Sequence, residues 1–301
     1  MMKMAIEDLA AAKRRCRLVA GRAQQTIERP VALSGLGLHT GAVVQMQLLP
    51  APAGTGLLFK RTDLPGQPCL KGSWRSVSST NDRNTTLGQG DLRMVTVEHL
   101  MAALYAHGID NLVIELDNLE PPIGNGSSDH FVSLLVEAGK RSQPEAHKQE
   151  LWVDEPLFWS QGAVHLVALP CSDYQVSYTL SYPDHPLLQS QYHSLKIHEE
   201  SFGQELAPCR TFCLYEEVAL LIDKGLIRGA SLDNGVIVDG KLAYSKGGLF
   251  FSNEMARHKI LDLVGDLALL ECDLRAHLVA IRSGHAAHFA LVQELIRDLY
   301  S

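Results

Sequence analysis

Apolar and polar positions alternate along the chain in short runs, then shift to helical spacing, and this shift happens twice. Thr26-Ile27-Glu28-Arg29-Pro30-Val31-Ala32-Leu33 and Val43-Val44-Gln45-Met46-Gln47-Leu48-Leu49-Pro50 predict strands joined by a glycine-punctuated turn at 35–41. Strand-like pieces follow at 56–60 and 84–88. Thr96 offers a cap for a helix over 97–106 that Gly108 ends. Residues 111–116 read as a strand, 121–127 as a tight loop and 129–138 as a helix. The second half repeats this order. Residues 153–157 and 162–170 match 27–31 and 41–50, a helix opens at His258, a strand covers 276–281, a turn covers 282–285, and a last helix begins at His288. The pattern predicts an α+β protein of two similar domains, an internal duplication in which each unit is a sheet layer packed with two helices. The expected units are 25–145 and 146–301, with the active site at their interface and a flexible basic extension over 1–24.

Composition narrows the function. The 301 residues suffice for a sizeable core, and a net charge of −7 argues against a nucleic-acid partner. No apolar run approaches the ~20 residues that a membrane-spanning helix needs. The six cysteines form no C-x-x-C pair, which disfavours a disulfide framework or a thiolate zinc site and favours a reducing cytoplasm. Residues 4–12 are alanine-rich and helix-prone, followed by Lys13-Arg14-Arg15-Cys16-Arg17. They read as a frayed extension, with weak contact to an anionic lipid surface as the alternative.

The chemistry concentrates at 256–266. As a helix, this stretch puts His258, Asp262 and Asp266 at i, i+4 and i+8 on one stripe, with Ile260, Leu261, Leu263 and Val264 on the other faces. Buried there, an imidazole and two carboxylates require a cation or hydrogen bonds to offset their lost hydration. Two histidines and a carboxylate suit a catalytic zinc ion with an open position, and His99, His258 and Asp262 are the candidate ligands. Glu98, beside His99, is a candidate base toward water. Asp266 needs a partner. His285, in Ser283-Gly284-His285, would supply one as an imidazolium able to protonate a leaving amine, and His288 competes for that role. His39 stands in a turn bracketed by Gly37 and Gly41 that can aim it at a site. His107 falls at a helix end, His147, His185, His193 and His198 in polar stretches, and His165 and His277 in strands.

Thr96-Val97-Glu98-His99-Leu100-Met101-Ala102-Ala103-Leu104 and the segment 258–267 resemble the zinc segments of the UDP-3-O-acyl-N-acetylglucosamine deacetylase family of lipid A biosynthesis. Residues 35–41, 108–111, Arg210-Thr211-Phe212 and 283–286 extend the resemblance from about residue 25 to the C-terminus. It implies a zinc-dependent amide hydrolase with the metal between two α+β domains. Zinc would be held by His99, His258 and Asp262. Glu98 would activate water, His285 would assist amine departure with Asp266 orienting it, and Thr211 would hydrogen-bond the oxyanion. Lys259 would meet the nucleotide, Phe212 would line the sugar-nucleotide and acyl site, Tyr182 would face the uracil, and 214–227 would border an acyl passage. His39 joins the substrate-binding set. The expected partner is an acylated UDP-amino sugar, met by a cytoplasmic monomer without stable membrane insertion, with a peripheral position at the inner membrane as a variant of that location. Asn125 stands where the family has Asp, a turn-shaping role that Asn fills, and His288 replaces an Asn. Two alternatives stay open: a zinc amidohydrolase acting on another amide-bearing sugar nucleotide, and a binding module whose catalysis has decayed.

Overall fold

A computed structural model describes residues 14–79 and 83–300. In chain order the elements are β1 (Cys16–Ile27), β2 (Val31–Leu36), β3 (Val43–Pro50), β4 (Leu57–Arg61), β5 (Cys69–Lys71), β6 (Val77–Ser79), β7 (Thr86–Gln89), β8 (Leu92–Met94), α1 (Glu98–Ala106), β9 (Leu112–Leu116) and α2 (Asp129–Ala138). Then come β10 (Lys140–Val153), β11 (Leu157–Gln161), β12 (Val164–Pro170), β13 (Tyr174–Leu180), β14 (Gln191–Lys196) and a single turn α3 (Glu199–Ser201). The chain closes with β15 (Phe212–Leu214), α4 (Tyr215–Asp223), β16 (Val236–Asp239), β17 (Leu242–Tyr244), α5 (Glu254–Ala268), β18 (Asp273–Ile281) and α6 (His285–Tyr300). The architecture is α+β.

Two mixed sheets carry the fold, and their pairings match. In the first, the order β2-β3-β9-β4-β5 is antiparallel except where β4 runs parallel to β9. In the second, β11-β12-β18-β13-β14 is antiparallel except where β13 runs parallel to β18. The buried positions alternate strictly in β9 and β18, the central strand of each sheet, because one face of each meets the core. α2 packs on β2, α6 on β11 and β12, and α5 on β13 and β14, while α1 lies against both α2 and α5. Two smaller sheets, β6-β7-β8 and β15-β16-β17, flank these.

The N-terminus departs from expectation. Residues 16–24, expected in a flexible extension, form most of β1, which pairs antiparallel with β10. The second sheet also gains β10, through parallel pairing with β18, and β1 forms its edge beyond β10. Of the basic run, Arg15 pairs with Asp298 and Arg17 with Asp154, and further along the strand Arg22 pairs with Asp110 and Asp273. The backbone N–H groups of Arg15 and Cys16 also donate to Asp298 at 2.8 Å. The helix-prone stretch 4–12 lies outside the described residues. The expected boundary at 145/146 falls within β10.

Two further expectations shift. Thr96 does not cap α1. It sits at φ +57°, and its hydroxyl reaches the Glu120 carboxylate at 3.4 Å. α5 begins at Glu254, one turn before His258, and His285 is the first residue of α6 rather than part of the preceding turn.

α1 and α5 cross at Gly265. A Cβ there would stand 2.0 Å from the Glu98 carbonyl oxygen. Gly265→Ala is therefore expected to destabilise the chain by about 1–3 kcal/mol through overpacking, and chemical denaturation measures this. An unchanged midpoint would show that the helices can separate freely.

Candidate active site

Four elements deliver the polar side chains to one place. The first turn of α1 brings Glu98 and His99, and one stripe of α5 brings His258, Asp262 and Asp266. The start of α6 brings His285 and His288, and the stretch before β7 brings Thr85. All are buried. Glu98, His99, His258, Asp262 and His285 line a cavity of about 670 Å³. Thr211, Phe212, Tyr182, His39 and Lys259 line the same cavity. Asp266 and His288 lie behind it. Leu214, Val218, Leu221, Ile222 and Ile227 give the cavity an apolar wall along α4 and the chain after it, while Trp159, Gln161 and Arg282 line another part.

Two groups among the described residues bring three potential ligand atoms within 4.8 Å of one another: His99, His258 and Asp262, and Asp266, His285 and His288. Their contacts differ in kind. In the first, Asp262 Oδ1 stands 3.6 Å from His99 Nε2 and 3.5 Å from His258 Nε2, too far for good hydrogen bonds. Tetrahedral zinc with ~2.0–2.1 Å bonds to nitrogen and oxygen sets neighbouring ligand atoms ~3.3–3.4 Å apart, close to these separations. His258 Nδ1 donates to the Cys209 carbonyl at 3.1 Å, which leaves Nε2 as a lone pair toward Asp262. Burial lowers the His258 pKa to about 3, keeping it in the neutral form that ligates metal. Burial alone would raise Asp262, yet the Lys259 ammonium, 2.7 Å from Oδ2, and His258 hold it well below the ordinary carboxylate range. The donor set fits a divalent metal.

In the second group, Asp266 Oδ2 accepts hydrogen bonds from His285 Nδ1 at 2.8 Å and His288 Nδ1 at 2.7 Å, so both nitrogens carry protons and neither offers a lone pair. Against the effect of burial, His285 and His288 hold Asp266 down to about 2. Burial also opposes charge on His285, but Asp266, with Glu98 and Asp262 at 4.0 Å, lifts it to about 9. His288 is lowered by burial, and its Nε2 accepts from the Ser283 hydroxyl at 2.9 Å. This histidine is sealed from the cavity, whereas His285 opens onto it. Glu98 is raised by burial, against the pull of His285 and His99.

The residues around this centre show how it is held. Glu120, fully buried, accepts from the His39 and Thr40 backbone N–H groups at 3.1 and 2.8 Å and from the Thr40 hydroxyl at 2.7 Å, fixing the turn that carries His39. Arg210 and Glu254 form a buried ion pair at 2.9 Å that ties the approach to β15, and so Thr211, to the first turn of α5. Lys259 turns its ammonium to Asp262, with the Phe212 ring 5.7 Å away. Tyr182 stands edge-on to Phe212 at 6.4 Å. Asn125 accepts from the Ser127 N–H and hydroxyl and donates to Asp129, which makes the loop a side-chain-built turn. Thr85, Glu120 and Glu254 are absent from the sequence candidates, and Arg210 and Ser283 enter there only as neighbours of Thr211 and His285. Glu254 carried a signal, since it continues the spacing-of-four series of His258, Asp262 and Asp266 by one turn.

Fold and site together define an α+β protein with a buried His-His-Asp cluster and an adjoining Glu, set at the meeting of two helices from the two halves of the chain. Comparison with known proteins makes this specific. A family model for UDP-3-O-acyl N-acetylglycosamine deacetylase matches residues 24–297, and the chain belongs to that family. A relative from Chlamydia caviae named UDP-3-O-acyl-N-acetylglucosamine deacetylase is 44% identical over 280 residues, covering 92% of this chain and 98% of its own. Relatives of the same name from Chlamydia pneumoniae and Chlamydia trachomatis are 42% and 40% identical, each over more than nine-tenths of both chains. The family is one of metalloenzymes. No helix among the described residues is long and apolar enough to cross a membrane.

The geometry makes one electrostatic prediction. Removing the Asp266 charge by Asp266→Asn should lower the His285 pKa from about 9 toward or below that of a free imidazole, read by NMR titration of the ring. An unmoved titration would show that Asp266 does not hold the proton there.

Proposed function

We propose that this chain hydrolyses the N-acetyl group of UDP-3-O-acyl-N-acetylglucosamine, giving UDP-3-O-acyl-glucosamine and acetate in lipid A biosynthesis, and that its metal is zinc. The observation that carries this is Glu98 and His285 facing one cavity beside the His99, His258 and Asp262 donor atoms, in a chain of the deacetylase family. His99, His258 and Asp262 would hold the zinc, which when bound would supply Lewis acidity toward the amide carbonyl and acidify water. Glu98, whose carboxyl pKa burial raises, takes the proton from the attacking water. The Thr211 hydroxyl donates to the oxyanion as it forms. His285, cationic through Asp266, gives its proton to the departing nitrogen, and Asp266 keeps the ring in place. His288 cannot serve as that acid because both its nitrogens are engaged.

Phe212, Tyr182 and His39 line the sugar-nucleotide side of the cavity, and the α4 wall takes the acyl chain. Lys259 serves the nucleotide only when its ammonium shares its charge between substrate and Asp262. The two units, 25–145 and 146–301, arise in this reading by duplication, on the strength of their matched strand pairings. One chain supplies every site residue, in keeping with a monomer. Six free cysteines accord with a reducing cytoplasm.

Metal analysis and acetate release from UDP-3-O-acyl-N-acetylglucosamine test the proposal. Asp262→Ala should lose the metal. Glu98→Gln should keep it and lose about 10²–10⁴ in turnover. A wild-type chain that carries zinc but releases no acetate from this substrate would refute the activity, and a Glu98→Gln variant with most of its rate would remove Glu98 as the base.

A further inference from the structure

Thr85 holds no metal and meets no substrate in the function above, yet it touches both proton-transfer groups. It is 1% exposed and immediately precedes β7. Its backbone N–H donates to Glu98 Oε2 at 3.1 Å. Its hydroxyl donates to Asp266 Oδ1 at 2.5 Å, and the same oxygen lies 3.4 Å from His285 Nδ1. Glu98 Oε1 is left facing His285.

We propose that Thr85 is a positioning residue for the hydrolysis, one that orients the base through its backbone and the Asp266–His285 pair through its hydroxyl. The inference rests on the deacetylase reading. The Asp266 carboxylate is held on both oxygens, Oδ2 by the two imidazoles and Oδ1 by Thr85 alone among the hydrogen bonds seen there. A carboxylate bonded on one oxygen can turn about its Cβ–Cγ bond and carry the His285 ring with it; bonded on both, it is locked. The Thr85 oxygen also presents a lone pair to the His285 Nδ1–H, closing a ring of contacts that sets the plane of the imidazole. Without the hydroxyl, Oδ1 would be a buried acceptor with no donor among the described residues. The backbone N–H acts on Glu98 whatever the side chain, so side-chain variants isolate the hydroxyl.

The test measures kcat, KM and bound metal for wild type, Thr85→Val, Thr85→Ala and Thr85→Ser, with Thr85→Val repeated in an Asp266→Asn background. Thr85→Val and Thr85→Ala should lower kcat about 10–100-fold with KM and metal unchanged, as expected for an outer-layer orienting group. Thr85→Ser should recover kcat to within about threefold of wild type, and in the Asp266→Asn background Thr85→Val should cost less than about twofold, because the partner it orients is gone. Having both apolar variants keeps the comparison should one of them misfold. An undiminished kcat, a loss confined to KM, no recovery in Thr85→Ser, or an additive loss with Asp266→Asn would each overturn the proposal. Failure of wild type itself to release acetate would instead refute the deacetylase reading. In that case the low-field proton resonance of the His285–Asp266 hydrogen bond still decides Thr85: it should shift in Thr85→Val and return in Thr85→Ser, and an unshifted resonance overturns the positioning role.

Discussion

The distance between α1 and α5 governs everything at the site. Gly265 presses its Cα against the Glu98 carbonyl, where no side chain fits, and so the buried stripe of α5 comes within reach of the first turn of α1. Each helix buries charged or ionisable side chains that hydrocarbon neighbours would not tolerate. Brought together, they answer one another: His99 and His258 converge on one Asp262 oxygen while Lys259 takes the other. A larger residue at 265 would part the helices and leave those groups facing apolar side chains. The crossing also places residues from both halves of the chain around a single cavity.

Within the cluster, burial and partners pull on ionisation in opposite directions, and the outcome differs by residue. For Glu98 burial outweighs the attraction of His285, 4.0 Å away, and raises it. Asp262 and Asp266 have partners at hydrogen-bond distance, so they stay ionised despite burial. His258 is neutral and His285 charged: His258 Nδ1 faces the Cys209 carbonyl, whereas His285 Nδ1 meets the Asp266 carboxylate at 2.8 Å. Neighbouring groups driven to opposite protonation states are what acid–base chemistry at neutral pH requires. The same contrast separates the two histidines of α6. His285 keeps one nitrogen toward the cavity, and His288 spends both inside the protein.

Much of the fold was legible where local pattern and burial agree. β3 (Val43–Pro50) and α2 (Asp129–Ala138) occupy the residues that alternation and helical spacing marked out. β1 was not legible. Its burial is weakly alternating, and its arginines find carboxylates far away in sequence, so a strand looked like a solvated basic tail. The start of α5 was misplaced by a turn because Glu254 is satisfied by Arg210, which no local pattern connects to it.

The chain's own spacing determined that His258, Asp262 and Asp266 share a stripe and that Glu98 and His99 open a helix, because a helix fixes the relation of residues four apart. That these stripes face each other, that His285 rather than His288 opens onto the cavity, and that Thr85 reaches both Glu98 and Asp266 were decided only in the tertiary structure. Those contacts join residues as much as 200 positions apart. Their geometry follows from how two sheets and two crossing helices pack, which no stretch of sequence encodes alone.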